Sequence, residues 1–181
     1  ESVLNLLQIS GGRITLKSGT SYQALVLREN NKMTLPLLKK IRDLVNGGMT
    51  LIVNSRVDQS PSLAESDDEV RQVAAELWGD LDGKSVIERT FGKGRVFWGM
   101  PIAQVLDRIG LKPDFEFTAS QADAPVNYIH RRTGDADIYF VASRRRNTED
   151  LVCTFRVEGK QPEFWNAETG QIAKAPAFEV A

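Results

Sequence analysis

The periodicity of the apolar residues changes between Lys112 and Ala124, and this change constrains the fold of the 181-residue chain more than any other feature. Before it, short apolar runs alternate with apolar residues spaced three and four apart, which predicts strands alternating with amphipathic helices. After it, only strand-like runs and turn residues follow. We therefore predict an α/β domain over residues 1–112 and a truncated, antiparallel, sandwich-like β module over residues 113–181.

One β-α-β unit is well marked in the first domain. Residues 23–27 and 49–53 are short apolar runs, as expected of strands that are buried on both faces. Between them, Thr34 and Pro36 are typical of a helix start, and Gly47 is typical of a helix end. This unit predicts two parallel strands joined by a helix.

A β-hairpin is the clearest feature of the second domain, and it carries the only histidine. Residues 126–132 and 137–144 are strand-like runs that flank a turn rich in Gly and Asp. The alternation of a strand places His130 on the same face as Tyr128 and Arg132.

The charges are balanced along the chain, with 23 basic and 24 acidic residues and a net charge of -1. This balance gives no electrostatic reason to expect nucleic acid or an anionic membrane as a partner. Hydrophobic residues make up 41% of the sequence, which is enough for a normal buried core. The single cysteine, Cys153, excludes an internal disulfide.

Several segments resemble glycoside hydrolases of the α-L-rhamnosidase type, family 106. The segments most particular to that family are Ser-Pro-Ser-Leu at 60–63, Glu-Leu-Trp-Gly at 76–79, Pro-Asp-Phe-Glu-Phe at 113–117, and the run 130–140. The likeness extends from about Gly12 to Ile172. It implies the C-terminal ancillary region of a bacterial enzyme of carbohydrate metabolism, without the catalytic barrel. The sequence leaves the compartment open, and such a parent enzyme is expected in the periplasm or outside the cell.

The first domain also resembles the flavodoxin-like, class I amidotransferase-like domain that accompanies the barrel in several glycosidase families. The matching segments are residues 22–27, 44–50 and 91–96. This resemblance implies a three-layer α/β fold. The chain departs from the family pattern at Arg28, where a proline is usual.

No catalytic residue is predicted in this chain. A glycosidase needs two carboxylates facing one sugar, and the available candidates are Asp114, Glu116, Asp135, Asp137 and Glu163. Asp residues beside a turn commonly serve backbone hydrogen bonding instead. In the resembled family the catalytic carboxylates lie in an upstream barrel that nothing here matches. Amidotransferase chemistry is excluded as well, because the only histidine precedes the only cysteine and neither lies in a strand-to-helix elbow.

No cofactor and no metal site are predicted either. Residues 28–33 contain no glycine that could cradle a phosphate group after the first strand. A calcium ion takes about six oxygen ligands, whereas the turn at Asp135 and Asp137 offers two carboxylates.

Five residues remain as candidates for contact with a sugar or with another domain: His130, Arg132, Asp135, Asp137 and Trp165. For His130 we favour a structural role, hydrogen-bonded near the interface between domains, over contact with sugar. Trp165 is expected at the surface, where an indole can stack on a sugar ring.

The favoured function is ancillary, with the catalytic barrel of the parent hydrolase as partner and carbohydrate as a second candidate ligand. The alternatives are a free-standing carbohydrate-binding or interaction module and, more weakly, a hydrolase active by itself. A doubly wound domain normally has a further strand and helix before residue 25, and their absence exposes a sheet edge. We therefore expect the fragment to self-associate or to fold its N-terminal segment across that surface.

Overall fold

The structure, a computed structural model, describes residues 6–121, 124–145, 148 and 150–180. It divides into two compact units, Glu1–Gly110 and Leu111–Ala181, which we call unit 1 and unit 2. No helix within these described ranges is long and apolar enough to cross a membrane.

Unit 1 begins with a small antiparallel sheet and continues with a mixed sheet. The first sheet has the order β1-β2-β3, and the second has the order β4-β5-β7-β6. The strands are β1 (Gln8–Ser10), β2 (Arg13–Thr15), β3 (Ser21–Tyr22), β4 (Ala24–Val26), β5 (Thr50–Val53), β6 (Glu88–Phe91) and β7 (Gly94–Trp98), and the helices are α1 (Leu35–Asn46), α2 (Asp67–Trp78) and α3 (Ile102–Arg108).

The β-α-β unit has the predicted form. Strands β4 and β5 pair in parallel, with Leu25 opposite Leu51, and helix α1 lies between them in sequence. Helix α1 starts after the extended residue Thr34, and the N–H of Leu35 donates to Glu65 Oε2 at 2.7 Å. That contact satisfies one of the N–H groups that a helix start leaves without a partner.

Helix α2 is also explained by its sequence. The hydroxyl of Ser66 accepts a hydrogen bond from the N–H of Asp68 at 3.2 Å, and three acidic residues occupy the first turn, where the helix dipole favours negative charge. The apolar face of the helix packs into the core of unit 1 through Val70, Val73, Ala74, Leu77 and Trp78.

The prediction of a flavodoxin-like, class I amidotransferase-like three-layer domain over residues 1–112 is wrong. In a doubly wound fold, consecutive parallel strands extend one sheet, each joined to the next by a helix. Here only β4, β5 and β7 are parallel, and β6 and β7 form an antiparallel hairpin. The strands before β4 form a separate antiparallel sheet. The β-α-β unit therefore does not continue into a doubly wound fold, because β6 and the strands before β4 pair antiparallel.

The β6–β7 hairpin depends on a glycine. Gly92 lies in its turn with φ of 59°, a left-handed conformation that side chains disfavour. A Cβ atom at this position would overlap Asn46 at the end of α1. The close approach of this turn to α1 therefore requires glycine.

Unit 2 is antiparallel, as predicted, but its described strands do not form the predicted sandwich. They form three separate two-stranded ladders. The strands are β8 (Phe115–Ala119), β9 (Val126–Arg132), β10 (Asp137–Ser143), β11 (Leu151–Phe155), β12 (Glu163–Trp165) and β13 (Ile172–Lys174), and the pairs are β8 with β11, β9 with β10, and β12 with β13. A sandwich requires two sheets whose inner faces share a core, and almost every large apolar side chain described in unit 2 is at least partly exposed.

Candidate functional site

A polar network centred on the single histidine lies within unit 2. In the β9–β10 hairpin His130 is directly opposite Tyr139, and Arg132 is directly opposite Asp137. Residues that are opposite each other, or two apart along a strand, share a face of the sheet. The register therefore brings these four side chains to one face of the hairpin.

Asp137 is the most strongly bonded member of the network, and its side chain is only 5% exposed. Its carboxylate accepts hydrogen bonds from Lys160 Nζ at 2.6 Å, Arg132 Nε at 2.9 Å and His130 Nε2 at 2.8 Å. These donors, Lys160 first, hold the pKa of Asp137 well below its usual range. The group is therefore ionised at all ordinary pH values.

Asp114, just before β8, occupies the other side of the histidine. Its Oδ2 lies 2.9 Å from His130 Nδ1, and its Oδ1 accepts from Arg156 Nη2 at 3.1 Å and from the Tyr139 hydroxyl at 3.2 Å. An ionised carboxylate can only accept. When Asp114 and Asp137 are both ionised, the imidazole can bond both only with hydrogen on each ring nitrogen.

The ring of Tyr139 covers the histidine. The two rings stack with centroids 4.0 Å apart and an interplanar angle of 13°. Burial, followed by the nearby carboxylate of Asp114, raises the pKa of Tyr139 to about 12. Tyr139 also contacts Phe155, which packs on Phe115, so the polar network borders the aromatic cluster of unit 2.

The structure brings three of the five sequence-predicted site residues together and leaves two apart. His130, Arg132 and Asp137 belong to the network. Asp135 lies exposed in the hairpin turn, where it accepts from Thr133 Oγ1 at 3.2 Å. Trp165 is exposed on β12, and its indole N–H donates to Glu163 Oε2 at 3.2 Å.

Four members of the network were not among the predicted site residues: Asp114, Tyr139, Arg156 and Lys160. Tyr139 could have been found, because a hairpin turn over residues 133–136 sets the register that places it opposite His130. Asp114 and Arg156 flank β8 and β11, whose pairing joins Phe115 to Phe155 across 40 residues of sequence. No local pattern indicates such a pairing.

In this arrangement the carboxylates are paired with neighbouring side chains rather than available to a ligand. Each of the two Asp side chains bonds the histidine and at least one cation. Among the described residues there is no group of three or more His, Cys, Asp or Glu side chains placed to hold a metal ion. Burial raises the pKa of the Cys153 thiol, which disfavours the thiolate that a nucleophile requires.

Comparisons with known proteins all find glycoside hydrolases. The profile of a family described as alpha-L-rhamnosidase, family 106 of the glycoside hydrolases, matches residues 1–179. A protein of Formosa agariphila with the provisional name beta-glucuronidase is 32% identical over 179 residues, which are 97% of this chain and 14% of that protein. A solved rhamnosidase structure from Novosphingobium sp. PP1Y superposes with a TM-score of 0.81 at 30% identity, covering 96% of this chain and 16% of that one. The chain thus spans only a small part of the length of the relatives that it matches.

Proposed function

The chain belongs to the α-L-rhamnosidase family of glycoside hydrolases, family 106, and on that premise we propose that it is a non-catalytic, ancillary region of such an enzyme. Its role would be to support the catalytic barrel of the parent hydrolase. The observation that carries this proposal is that the carboxylates of Asp114 and Asp137 are both paired with cations and with the histidine.

Glycosidase chemistry makes two demands that this pair does not meet. The general acid must carry a proton at the working pH, which requires a raised pKa, whereas the pKa of Asp137 is lowered. A nucleophile or base must direct a free lone pair at the sugar or at a water molecule. Asp137 is nearly buried and accepts from three side chains, so its oxygens are committed to the fold.

The other face of the β9–β10 hairpin supports contact with a further part of the parent enzyme. Ile129 and Phe140 are directly opposite each other in the register, and Ile138 is two residues from Phe140, so the three share a face. All three side chains are exposed. Contiguous exposed apolar surface commonly marks a protein contact. In the isolated chain, the same surface would favour self-association.

The proposal is tested by assaying the isolated chain with 4-nitrophenyl α-L-rhamnopyranoside and, because of the name of one relative, with 4-nitrophenyl β-D-glucuronide. We expect no release of nitrophenolate above the buffer rate. Turnover that is lost in Asp137→Asn or Asp114→Asn, and kept in the matched control Asp135→Asn, would refute the non-catalytic role. Asp135 is the suitable control because it lies in the same hairpin but outside the network.

A free-standing carbohydrate-binding module is the second candidate, and the exposure of Trp165 favours it. An exposed indole offers a face on which a sugar ring can stack. The hydrogen bond to Glu163 fixes the indole and places a carboxylate beside it. Quenching of tryptophan fluorescence by L-rhamnose that disappears in Trp165→Ala would support this candidate over a purely architectural one.

A further inference from the structure

The charges of the network are arranged in two layers. The carboxylates lie inside, since the side chains of Asp137 and Asp114 are 5% and 22% exposed. The cations lie outside, with Arg132 at 70%, Arg156 at 51% and Lys160 at 37% exposed. A solute that approaches the network therefore meets its cations before its carboxylates.

The three cations line a cleft that is large enough for a small ligand. Its volume is about 410 Å³, and its remaining lining residues are Thr133, Gly134, Asp137, Val157 and Glu158. Small-molecule sites commonly measure roughly 300–1,000 Å³. Gly134 leaves the turn side of the cleft open, because a Cβ atom added there would meet no atom within 4 Å.

Arg132 keeps one anion-binding edge of its guanidinium group available. Its Nε atom bonds Asp137, while Nη1 and Nη2 have no hydrogen-bond partner in the part of the chain that the structure describes. Lys160 donates one of its three N–H groups to the carboxylate of Asp137. A planar guanidinium edge matches the two oxygens of a carboxylate or sulfate group.

We propose that this cleft binds the carboxylate or sulfate group of an acidic saccharide. Arg132 takes two oxygens of the anion through its Nη atoms, and Lys160 and Arg156 supply the surrounding positive charge. The saccharide follows from the family, whose members act on glycosides. The assignment goes beyond the ancillary role and does not depend on it, because it concerns binding alone.

The negative charge of Glu158 opposes binding of an anion, so replacing this residue tests the proposal. This exposed residue lines the cleft but belongs to none of the ion pairs of the network. Its negative charge repels a bound anion. Glu158→Gln removes the repulsion without touching the network, so it is expected to tighten binding of an acidic sugar by about two- to fivefold.

Gly134 provides a matched pair in the opposite direction. Gly134→Glu places a negative charge at the open mouth of the cleft, and Gly134→Gln places a neutral side chain of the same size there. The backbone of Gly134 is outside the left-handed region, so both side chains fit. We expect Gly134→Glu to bind an acidic sugar about fivefold more weakly than Gly134→Gln.

The experiment is a titration of the 181-residue chain, followed by NMR at the Gly134 amide and the Arg132 Nε–H, at constant ionic strength. The ligands are D-glucuronate, D-glucose 6-sulfate, D-glucose and acetate. We expect one or both acidic sugars to bind at least about tenfold more tightly than glucose. The two acidic sugars distinguish a carboxylate from a sulfate ester as the bound group.

Three results would overturn the proposal. If glucose bound as tightly as both acidic sugars, the cleft would not recognise an anionic group. If acetate bound as tightly as glucuronate, the cleft would not recognise the saccharide. Equal affinity of Gly134→Glu and Gly134→Gln for the acidic sugar would place the site elsewhere. None of these results bears on turnover, so a failure here is distinguishable from a failure of the non-catalytic role.

Discussion

Different forces stabilise the interior of each of the two units. In the described residues, every buried hydrophobic side chain except Phe115 lies in unit 1, where strands and helices enclose two apolar clusters. Unit 2 relies on an aromatic cluster and on the charge-assisted hydrogen bonds around His130. Apolar burial has no direction and little dependence on pH. A polar network depends on both geometry and protonation.

The largest expected effect is the loss of core packing in unit 1. Leu51 on β5 is fully buried, whereas Leu63 is fully exposed. Leu51→Ala is expected to reduce the free energy of unfolding of unit 1 by about 2–5 kcal/mol, because it leaves a cavity. Leu63→Ala, with the same chemical change, should have almost no effect. Urea denaturation followed by peptide-resolved hydrogen exchange measures both variants, and equal losses would contradict the comparison.

A smaller loss, confined to unit 2, is expected for Asp137→Asn. The substitution leaves Lys160 and Arg132 without their shared anion beside a nearly buried amide. Amide exchange in β9 and β10 should accelerate, while exchange in α1 and α2 should not change. Asp135→Asn, two residues away in the turn, should leave both regions unchanged. Faster exchange in unit 1 as well would show that the two units do not separate in this way.

Acid should weaken unit 2 through the same carboxylate. The pKa of Asp137 is lowered by its folded-state donors, so its contribution is complete above the unfolded pKa of about 3.9 and is lost as the pH falls toward the folded value. The stability difference between the wild-type chain and Asp137→Asn should therefore shrink as the pH is lowered from about 5 to 2. The difference is the useful quantity, because the pKa of Glu65 in unit 1 is also lowered, by Ser60 and the Leu35 N–H. A constant difference across this range would contradict the prediction.

Self-association should depend on the exposed apolar face of unit 2. Phe140→Asp places a charge in the middle of that face, beside Ile129 and Ile138. We expect the mass of the wild-type chain, measured by light scattering, to rise with concentration and the mass of the variant to stay lower. Leu63→Asp in unit 1 is the control, since it changes a single exposed leucine. If both variants behave like the wild type, the face is not what drives association.

The smallest effect should appear at high pH and at one residue. Burial and the carboxylate of Asp114 raise the pKa of Tyr139 to about 12. The stabilisation that accompanies this shift is complete below the unfolded pKa of about 10 and is lost as the pH rises toward 12. The absorbance of wild type minus Tyr139→Phe should therefore show little tyrosinate at pH 11 in the folded chain. A full tyrosinate signal at that pH would contradict the burial of this ring.

The hairpin at His130 could be predicted from sequence, whereas the network around it could be predicted only in part. The turn over residues 133–136 and the alternation of β9 place His130, Arg132 and Asp137 near one another. Arg156 and Lys160 come from the segment after β11, and Asp114 comes from the segment before β8. Their approach depends on the pairing of β8 with β11, which no local pattern encodes.

The flavodoxin-like prediction failed for a related reason. The formation of β4, α1 and β5 follows from local sequence, because capping and apolar spacing act within a few residues. The order and direction of strands in a sheet are decided by contacts between distant segments. Gly92 turns the chain back into the β6–β7 hairpin, where a longer doubly wound sheet would have a helical crossover.

The family, and the strands and helices whose signals are local, could be predicted from the sequence without the fold. Motif segments, caps and apolar periodicity operate over short stretches of chain, so they can be read without the fold. The tertiary structure alone decided that Asp114 and Asp137 hold one histidine between them and lie beneath three cations. That outcome depends on strand register and on side chains up to 46 residues apart in sequence, from Asp114 to Lys160. The interaction energies of such distant side chains are set only when the chain has folded.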